Sequence, residues 1–392
     1  MITVLRRIFK ISVCTILSCA VIISAALPSF AEQSEQPEQA QEGAYAEVLM
    51  EAETGQVLYS KNAGMKLPMA SVTKITALLI WAEMLEEGTL TLEEKVKASS
   101  YASSAEGSVI WLESGEEMTV AELLEAVIIS SANDACIALA EHTAGSEAQF
   151  VRLMNKKAKS LGMQNTHYVN CVGFDAEGHY STAQDIAIAT SELMKHEVYR
   201  GWMLTWLDYL RGGDTQLVNT NKLIRYYEGI LGGKTGTTDN AGCCLAVCAE
   251  RGDMRLVGVV MGCADDDTRF DSAEKLLDYG FGSFEKFTPE VDMTKLLPIT
   301  VRHGTATEVK PVVSGRGTEC VIKKGRASSV KYEYTFVEEV TAPVERGQFL
   351  GEYLVLLDGA EVFRSEIVAS EEVEAMSFFK CLWLILCELV TM

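Results

Sequence analysis

Three short clusters in this sequence have the residue types and spacing of a nucleophilic hydrolase: Ser71-Val72-Thr73-Lys74, Ser131-Ala132-Asn133 and Lys234-Thr235-Gly236. A serine hydroxyl is a weak nucleophile and needs a base beside it. A lysine three residues on, along the same helical face, can reach that hydroxyl. It serves as a base only if its pKa falls well below ~10.4, and a second ammonium such as Lys234 would push it that way. A helix beginning at Ser71 would add positive potential, which favours an attacking alkoxide. Taken singly the clusters say little. The pattern S-x-x-K recurs at Ser272, Ser283, Ser328 and Ser377, and S-x-N recurs at Ser60-Lys61-Asn62. Ser71 and Lys74 also read as a helix cap with a solvated lysine, Asn133 as an N-cap before Asp134, and Lys234-Thr235-Gly236 as a turn. The informative feature is the ordered trio, set at a helix start, in a loop between helices and on a strand.

Those settings follow from the surrounding pattern. Two strands are predicted over 46–52 and 56–60, joined by a turn at Glu53-Thr54-Gly55. A helix is predicted from Ser71 onward, after Pro68, with further helices over 120–129, 134–142, 147–161 and 183–195. Thr182 and Asp185 have capping-box spacing for the last of these. Strands over 243–249 and 255–263 flank the turn Arg251-Gly252-Asp253, and a helix over 272–278 follows. This order predicts an α+β domain, an antiparallel sheet flanked by helices. After Pro289 short runs over 308–313, 319–323, 330–337 and 354–357 alternate with glycine turns, which predicts a small all-β domain.

The composition bounds the function. The 392 residues carry 34 Lys+Arg against 55 Asp+Glu, a net charge of −21, with 48% hydrophobic and 23% charged residues. That is a globular composition, and its negative sign excludes non-specific nucleic-acid binding. Five histidines and no C-x-x-C pair give no zinc site, so neither metal nor cofactor is expected. Residues 1–31 hold no acid. Arg6, Arg7 and Lys10 precede an apolar run from Ile11 to Leu27, and Pro28-Ser29-Phe30-Ala31 offers a cleavage site, the layout of a signal peptide; a retained membrane anchor is the other reading. Cleavage leaves 31 bases against 55 acids, a charge of −24. It also leaves an odd set of cysteines (Cys136, Cys171, Cys243, Cys244, Cys248, Cys263, Cys320, Cys381 and Cys387) that does not look like a disulfide framework. Residues 32–43 read as a polar tether. At the other end, Ser377 to Met392 is too short to span a bilayer comfortably. It reads either as an amphipathic helix in the membrane interface or as a helix docked on the protein's own core. The predicted layout is 1–31 signal peptide, 32–43 tether, 44–288 catalytic domain, 289–370 β-rich domain and 371–392 amphipathic membrane-associated helix.

The ordered trio is the signature shared by class A β-lactamases and penicillin-binding proteins. With LPMASVTKITALL, ISSANDACIALA, HYVNCVGFDAEGHYSTAQDIA, GGKTGTTDNAGCCL and TRFDSAEKLLDYGF around it, the chain from about Tyr45 to Glu372 resembles the serine-type D-alanyl-D-alanine carboxypeptidases, the low-molecular-mass penicillin-binding proteins. The resemblance implies a DD-peptidase/β-lactamase-like catalytic domain and, without any cofactor, an acyl-enzyme on Ser71. It implies Lys74 as base, Ser131 as proton relay, Asn133 on the substrate amide, and Lys234, Thr235 and Gly236 beside the substrate carboxylate. Backbone N–H groups of Ser71 and Thr237 would form the oxyanion hole. Arg269 would bind the terminal carboxylate, unless it is spent on a surface salt bridge to Asp265, Asp266 or Asp271. Implied partners are the peptidoglycan stem peptide, β-lactams as covalent inhibitors, and a membrane surface on the extracytoplasmic side. One departure stands out: Asn219-Thr220-Asn221 resembles a stretch that often has arginine in the middle. A β-lactamase shares the trio, but no E-x-x-L-N segment lies between Asn133 and Lys234; slow release of bound penicillin distinguishes a carboxypeptidase from it. A DD-endopeptidase is chemically adjacent, and a silent wall-binding protein would release no D-alanine.

Overall fold

The computed structural model describes residues 43–315, 319–378, 380 and 383. The chain opens on a hairpin of β1 (Ala46–Glu51) and β2 (Val57–Lys61). The buried Glu51 carboxylate shapes its turn by accepting the N–H groups of Glu53 and Thr54. A 3-10 turn (Ala70–Thr73) then feeds α1 (Lys74–Glu86). The strands β3 (Lys95–Lys97) and β4 (Glu117–Thr119) form a small ribbon. Five helices follow: α2 (Val120–Ile129), α3 (Asn133–Ala144), α4 (Glu147–Ser160), α5 (Ala183–Leu193) and the short α6 (Arg200–Leu204). A second ribbon, β5 (Leu207–Leu210) with β6 (Thr215–Val218), leads into the meander β7 (Ile230–Thr238), β8 (Gly242–Arg251) and β9 (Met254–Cys263), and then α7 (Asp266–Ser283).

The five long strands make one antiparallel sheet in the order β2-β1-β9-β8-β7. Strand alternation divides its side chains between two cores. On β8, Cys244, Ala246 and Cys248 face the larger core under the helices α1 to α5, whereas Cys243, Leu245, Val247 and Ala249 face α7. Burial on both faces explains the nearly unbroken apolar runs of β8 and β9. All seven cysteines among the described residues are buried free thiols.

Several boundaries differ from expectation. The last helix begins at Asp266, not Ser272, and runs to Ser283. Its three leading aspartates read as loop by composition, yet Asp265 caps the helix by accepting the Thr268 N–H at 2.8 Å, and acids suit that positive end. Thr182 accepts the Asp185 N–H, but the Asp185 carboxylate turns to Asn165 N and Thr166 Oγ1, so only half of the capping box forms. A complete box occurs instead at Thr119 and Glu122.

From α7 to Ala369 the described chain is built on strands with two short 3-10 turns: β10 (Phe284–Phe287), β11 (Ile299–Arg302), β12 (Glu308–Val309), β13 (Pro311–Val313), β14 (Cys320–Lys323), β15 (Val330–Phe336), β16 (Glu339–Thr341), β17 (Phe349–Leu357) and β18 (Ala360–Ala369). The order β13-β18-β17-β15 gives an antiparallel sheet, and β11 lies between β12 and a parallel β16. The strands β11, β16 and β18 lie outside the predicted runs; β11 and β16 are too short for a periodic signal, and Glu361, Arg364 and Glu366 break up β18. β10 already pairs with β14, so the β region starts directly after α7.

The two regions are joined by a clamp resembling strand pairing. The Gln56 amide donates through Nε2 to Val321 O (2.9 Å) and accepts the Val321 N–H at Oε1 (2.8 Å). Lys286 bridges Glu53 and Glu319 nearby. Gln56→Ala removes both bonds, and since an amide hydrogen bond is worth about 0.5–1.5 kcal/mol net, scanning calorimetry should show a melting temperature lower by about 2–6 °C.

The predicted signal peptide, nearly all of the tether and most of the C-terminal helix lie outside the described residues. Phe378, Lys380 and Trp383 are helical, with both rings exposed. Among the described residues no helix is long and apolar enough to cross a membrane.

Candidate active site

Ser71 sits in the 3-10 turn ahead of α1, pressed against the edge strand β7. Two neighbours allow that close approach by lacking a Cβ. An atom added to Gly236 would stand 2.9 Å from both Ser71 N and Met69 O. At Gly173, whose φ is +97°, it would fall 1.8 Å from Ala70 O. Ala70 (φ 49°) and Ser131 (φ 64°) both hold left-handed backbone without being glycine. Such conformations concentrate where surrounding contacts enforce a functional geometry.

Lys74, the first residue of α1, is wholly buried beneath Ser71. Its Nζ lies 2.9 Å from Ser71 Oγ, 2.6 Å from Asn133 Oδ1, 3.1 Å from Val172 O and 3.4 Å from Ser131 Oγ. Burial lowers its pKa to about 8, opposed by the nearby Cys136, Cys171 and Asp134. A neutral amine has two N–H groups and one lone pair. With Asn133 Oδ1 and Val172 O taking the hydrogens, the lone pair is left for the Ser71 hydroxyl. That is the geometry of an activated nucleophile.

Asn133 is not an N-cap. Ala132 holds that position, and Asn133 opens α3 with its side chain turned back to Lys74. Its Nδ2 donates to Glu106 O at 2.7 Å, which uses one of the two amide N–H groups. Lys234 is also fully buried, with Nζ donating to Thr235 O at 2.9 Å. Its pKa is pulled well down, first by burial and then by the charges of Lys74 and Arg269. The expected repulsion between the two lysines acts on Lys234, after burial, whereas at Lys74 burial lowers the pKa and the charge of Lys234 is not among the causes.

Arg269 is not a surface group: its side chain is only 7% exposed. It pairs with Asp266 and donates to Gly236 O (3.1 Å), Thr237 Oγ1 (3.1 Å) and Cys244 O (3.3 Å), which fixes it behind the Lys-Thr-Gly strand. Thr220, in the position where the sequence departs from expectation, accepts a 2.7 Å bond from Thr235 Oγ1. Ser71, Ser131, Asn133, Thr220, Thr235, Gly236, Thr237 and Arg269 share one cleft of about 270 Å³ with Gly107, Ser108 and Phe174. A larger hollow of about 840 Å³ lies along α7, with Ser272 and Lys275 in its wall. That lysine is exposed and lacks the burial that depresses Lys74.

Loop residues complete the floor. Asn170 Oδ1 accepts the N–H groups of Val172, Gly173 and Phe174, holding Val172 O toward Lys74. His179 accepts the Val169 N–H at Nδ1, so Nε2 carries its hydrogen and donates to Thr73 Oγ1 (2.9 Å). Burial lowers its pKa to about 4 and keeps the ring neutral. Sequence reasoning did not anticipate Val172, which contributes only a carbonyl, nor Asp134, whose part is described below. Among the described residues no cluster of ligands could hold a metal ion.

Residues 31–265 match the family described as D-alanyl-D-alanine carboxypeptidase, and residues 284–375 match the C-terminal domain of penicillin-binding protein 5. The chain is 37% identical to the D-alanyl-D-alanine carboxypeptidase DacF of Bacillus subtilis over 369 residues, 93% of this chain and 95% of that one. It is 35% identical to DacC of Escherichia coli over 348 residues, 87% of this chain and 86% of that one. Among solved structures, penicillin-binding protein 5 from Haemophilus influenzae superposes with a TM-score of 0.77 at 29% identity, over 86% of this chain and 99% of that chain. With a buried lysine beneath a serine that opens on the cleft, and an all-β domain after the catalytic one, the chain belongs to the serine D-alanyl-D-alanine carboxypeptidases, hydrolases of the low-molecular-mass penicillin-binding type.

Proposed function

We propose that the protein removes the terminal D-alanine from peptidoglycan stem pentapeptides through an acyl-enzyme on Ser71. The observation that carries this reading is the Lys74 amine, held 2.9 Å from Ser71 Oγ with its two hydrogens spoken for. Ser71 Oγ attacks the carbonyl of the penultimate D-alanine while Lys74 takes its proton. The developing oxyanion faces the N–H groups of Ser71 and Thr237. The C–N bond then breaks, and the departing D-alanine amine receives the proton from Lys74 by way of Ser131. Water, deprotonated by the same lysine, hydrolyses the ester and frees Ser71. Lys234, Thr235 and Arg269 supply positive charge and a hydroxyl to the substrate's terminal carboxylate, and the remaining Asn133 N–H serves its amide. A β-lactam acylates the same serine.

Purified protein should release D-alanine from a pentapeptide, a β-lactam should stop that release, and Ser71→Ala should abolish both release and covalent β-lactam labelling. Equal labelling of wild type and Ser71→Ala would refute the assignment. The reading extends to location: residues 1–31 direct export, residues 32–43 tether the catalytic domain of residues 44–288, residues 289–370 act as spacer, and the segment from 371 lies on the outer face of the cell membrane. Exposed Phe378 and Trp383 support an interfacial helix. Truncation after Met376 should move the protein from the membrane pellet to the soluble fraction.

A further inference from the structure

The loop over residues 106–116 joins the cleft to the outer surface. Gly107 and Ser108 form part of the cleft wall, and the Asn133 N–H holds Ser108 O at 2.6 Å. Farther along, the Asp134 carboxylate, 1% exposed, accepts the N–H groups of Ile110 (3.1 Å) and Leu112 (3.0 Å). Arg211, at the end of β5, donates to Ile110 O at 2.8 Å and grips Glu116 with its remaining nitrogens. Between these clamps stands Trp111. Its backbone is left-handed (φ 55°) and its residue surface is 77% exposed, while Ile110 and Leu112 on either side are buried.

Single exposed apolar residues are ordinary on a protein surface. This one differs because its outward pose is enforced. A buried carboxylate and an arginine fix the backbone on both sides of it, in a conformation that a bulky side chain rarely adopts. Trp111 is two hydrogen-bonded links from the catalytic lysine: Lys74 to Asn133, and the adjoining Asp134 to Ile110 and Leu112. The stem peptide has three residues between its penultimate D-alanine and the sugar that bears it, about 10 Å when extended.

We propose that Trp111 is a positioning residue for the glycan portion of the substrate, its ring stacking on the C–H face of an amino sugar while the stem peptide enters the cleft. The proposal rests on the carboxypeptidase reading above. A flat apolar ring suits the face of a pyranose, and the exposed Glu106, Glu113 and Glu117 in the same stretch of chain favour an uncharged sugar over an anionic lipid surface.

The test compares D-alanine release from N-acetylglucosaminyl-N-acetylmuramyl pentapeptide with release from the free pentapeptide, using wild type, Trp111→Ala and Trp111→Phe. Trp111→Ala should lower kcat/KM on the glycan-bearing substrate about five- to tenfold, through KM, in keeping with the worth of one stacked aromatic contact. On the free pentapeptide the change should stay within about twofold, and Trp111→Phe should recover most of the loss. Equal losses on both substrates, or slower labelling by a β-lactam, would reduce Trp111 to a structural role and overturn the proposal. So would no loss on either, or an unchanged KM accompanied by weaker binding to anionic phospholipid vesicles. Wild-type protein that releases D-alanine from neither substrate would overturn the carboxypeptidase reading itself.

Discussion

Lys74→Met should slow acylation of Ser71 by about 10³–10⁴-fold, at the upper end of what a positioned general base contributes. Methionine fills similar volume without an amine, so the serine stays in place but keeps its proton. The wild-type rate should rise about tenfold per pH unit below a midpoint near 8 and level off above it, because only neutral Lys74 accepts the proton. In Lys74→Met that limb should vanish. Stopped-flow acylation by a chromogenic β-lactam from pH 6 to 10 reads both quantities, and a variant that retains the limb would move the base elsewhere. The melting temperature should change little: loss of a buried ammonium relieves desolvation, while Asn133 Oδ1 and Val172 O lose their donor.

Gly236→Ala should produce the second large loss, about 10²–10³-fold in acylation, comparable to removal of one oxyanion-hole donor. The added methyl would stand 2.9 Å from Ser71 N and Met69 O and 3.0 Å from Ala70 Cβ. These belong to the turn that carries the nucleophile, so β7 or the turn must shift. Gly282→Ala is the matched control, since nothing lies within 4 Å of its added carbon; it should acylate at the wild-type rate. Wild-type acylation by Gly236→Ala would show that the strand gives way without moving Ser71.

Ser71 and Lys74 were legible in the sequence because their cooperation needs a spacing of three residues, which one short motif can hold. Ser131 and Lys234 join them only through the fold, and there the order of the motifs was the signal. The helix Val120–Ile129 was read to the residue from its apolar pattern. The start of α7 was not, since three aspartates resemble a loop until their capping role is seen. Arg269 could not be told from a surface ion pair until its burial behind β7 was known. The Asp134 clamp had no signature at all: it links residues 22 and 24 positions apart through backbone N–H groups, which any side chain supplies.

The buried cysteines shape how this chain must reach its native state. Burial raises the thiol pKa at Cys171, Cys244, Cys248, Cys263 and Cys320, so these five thiols offer oxidants almost no thiolate in the folded protein. The same groups are solvated and reactive in an unfolded chain, where any covalent pairing would be non-native. For these five cysteines chemical vulnerability is therefore confined to the interval before collapse, and recovery from denaturant demands a reducing buffer to protect them.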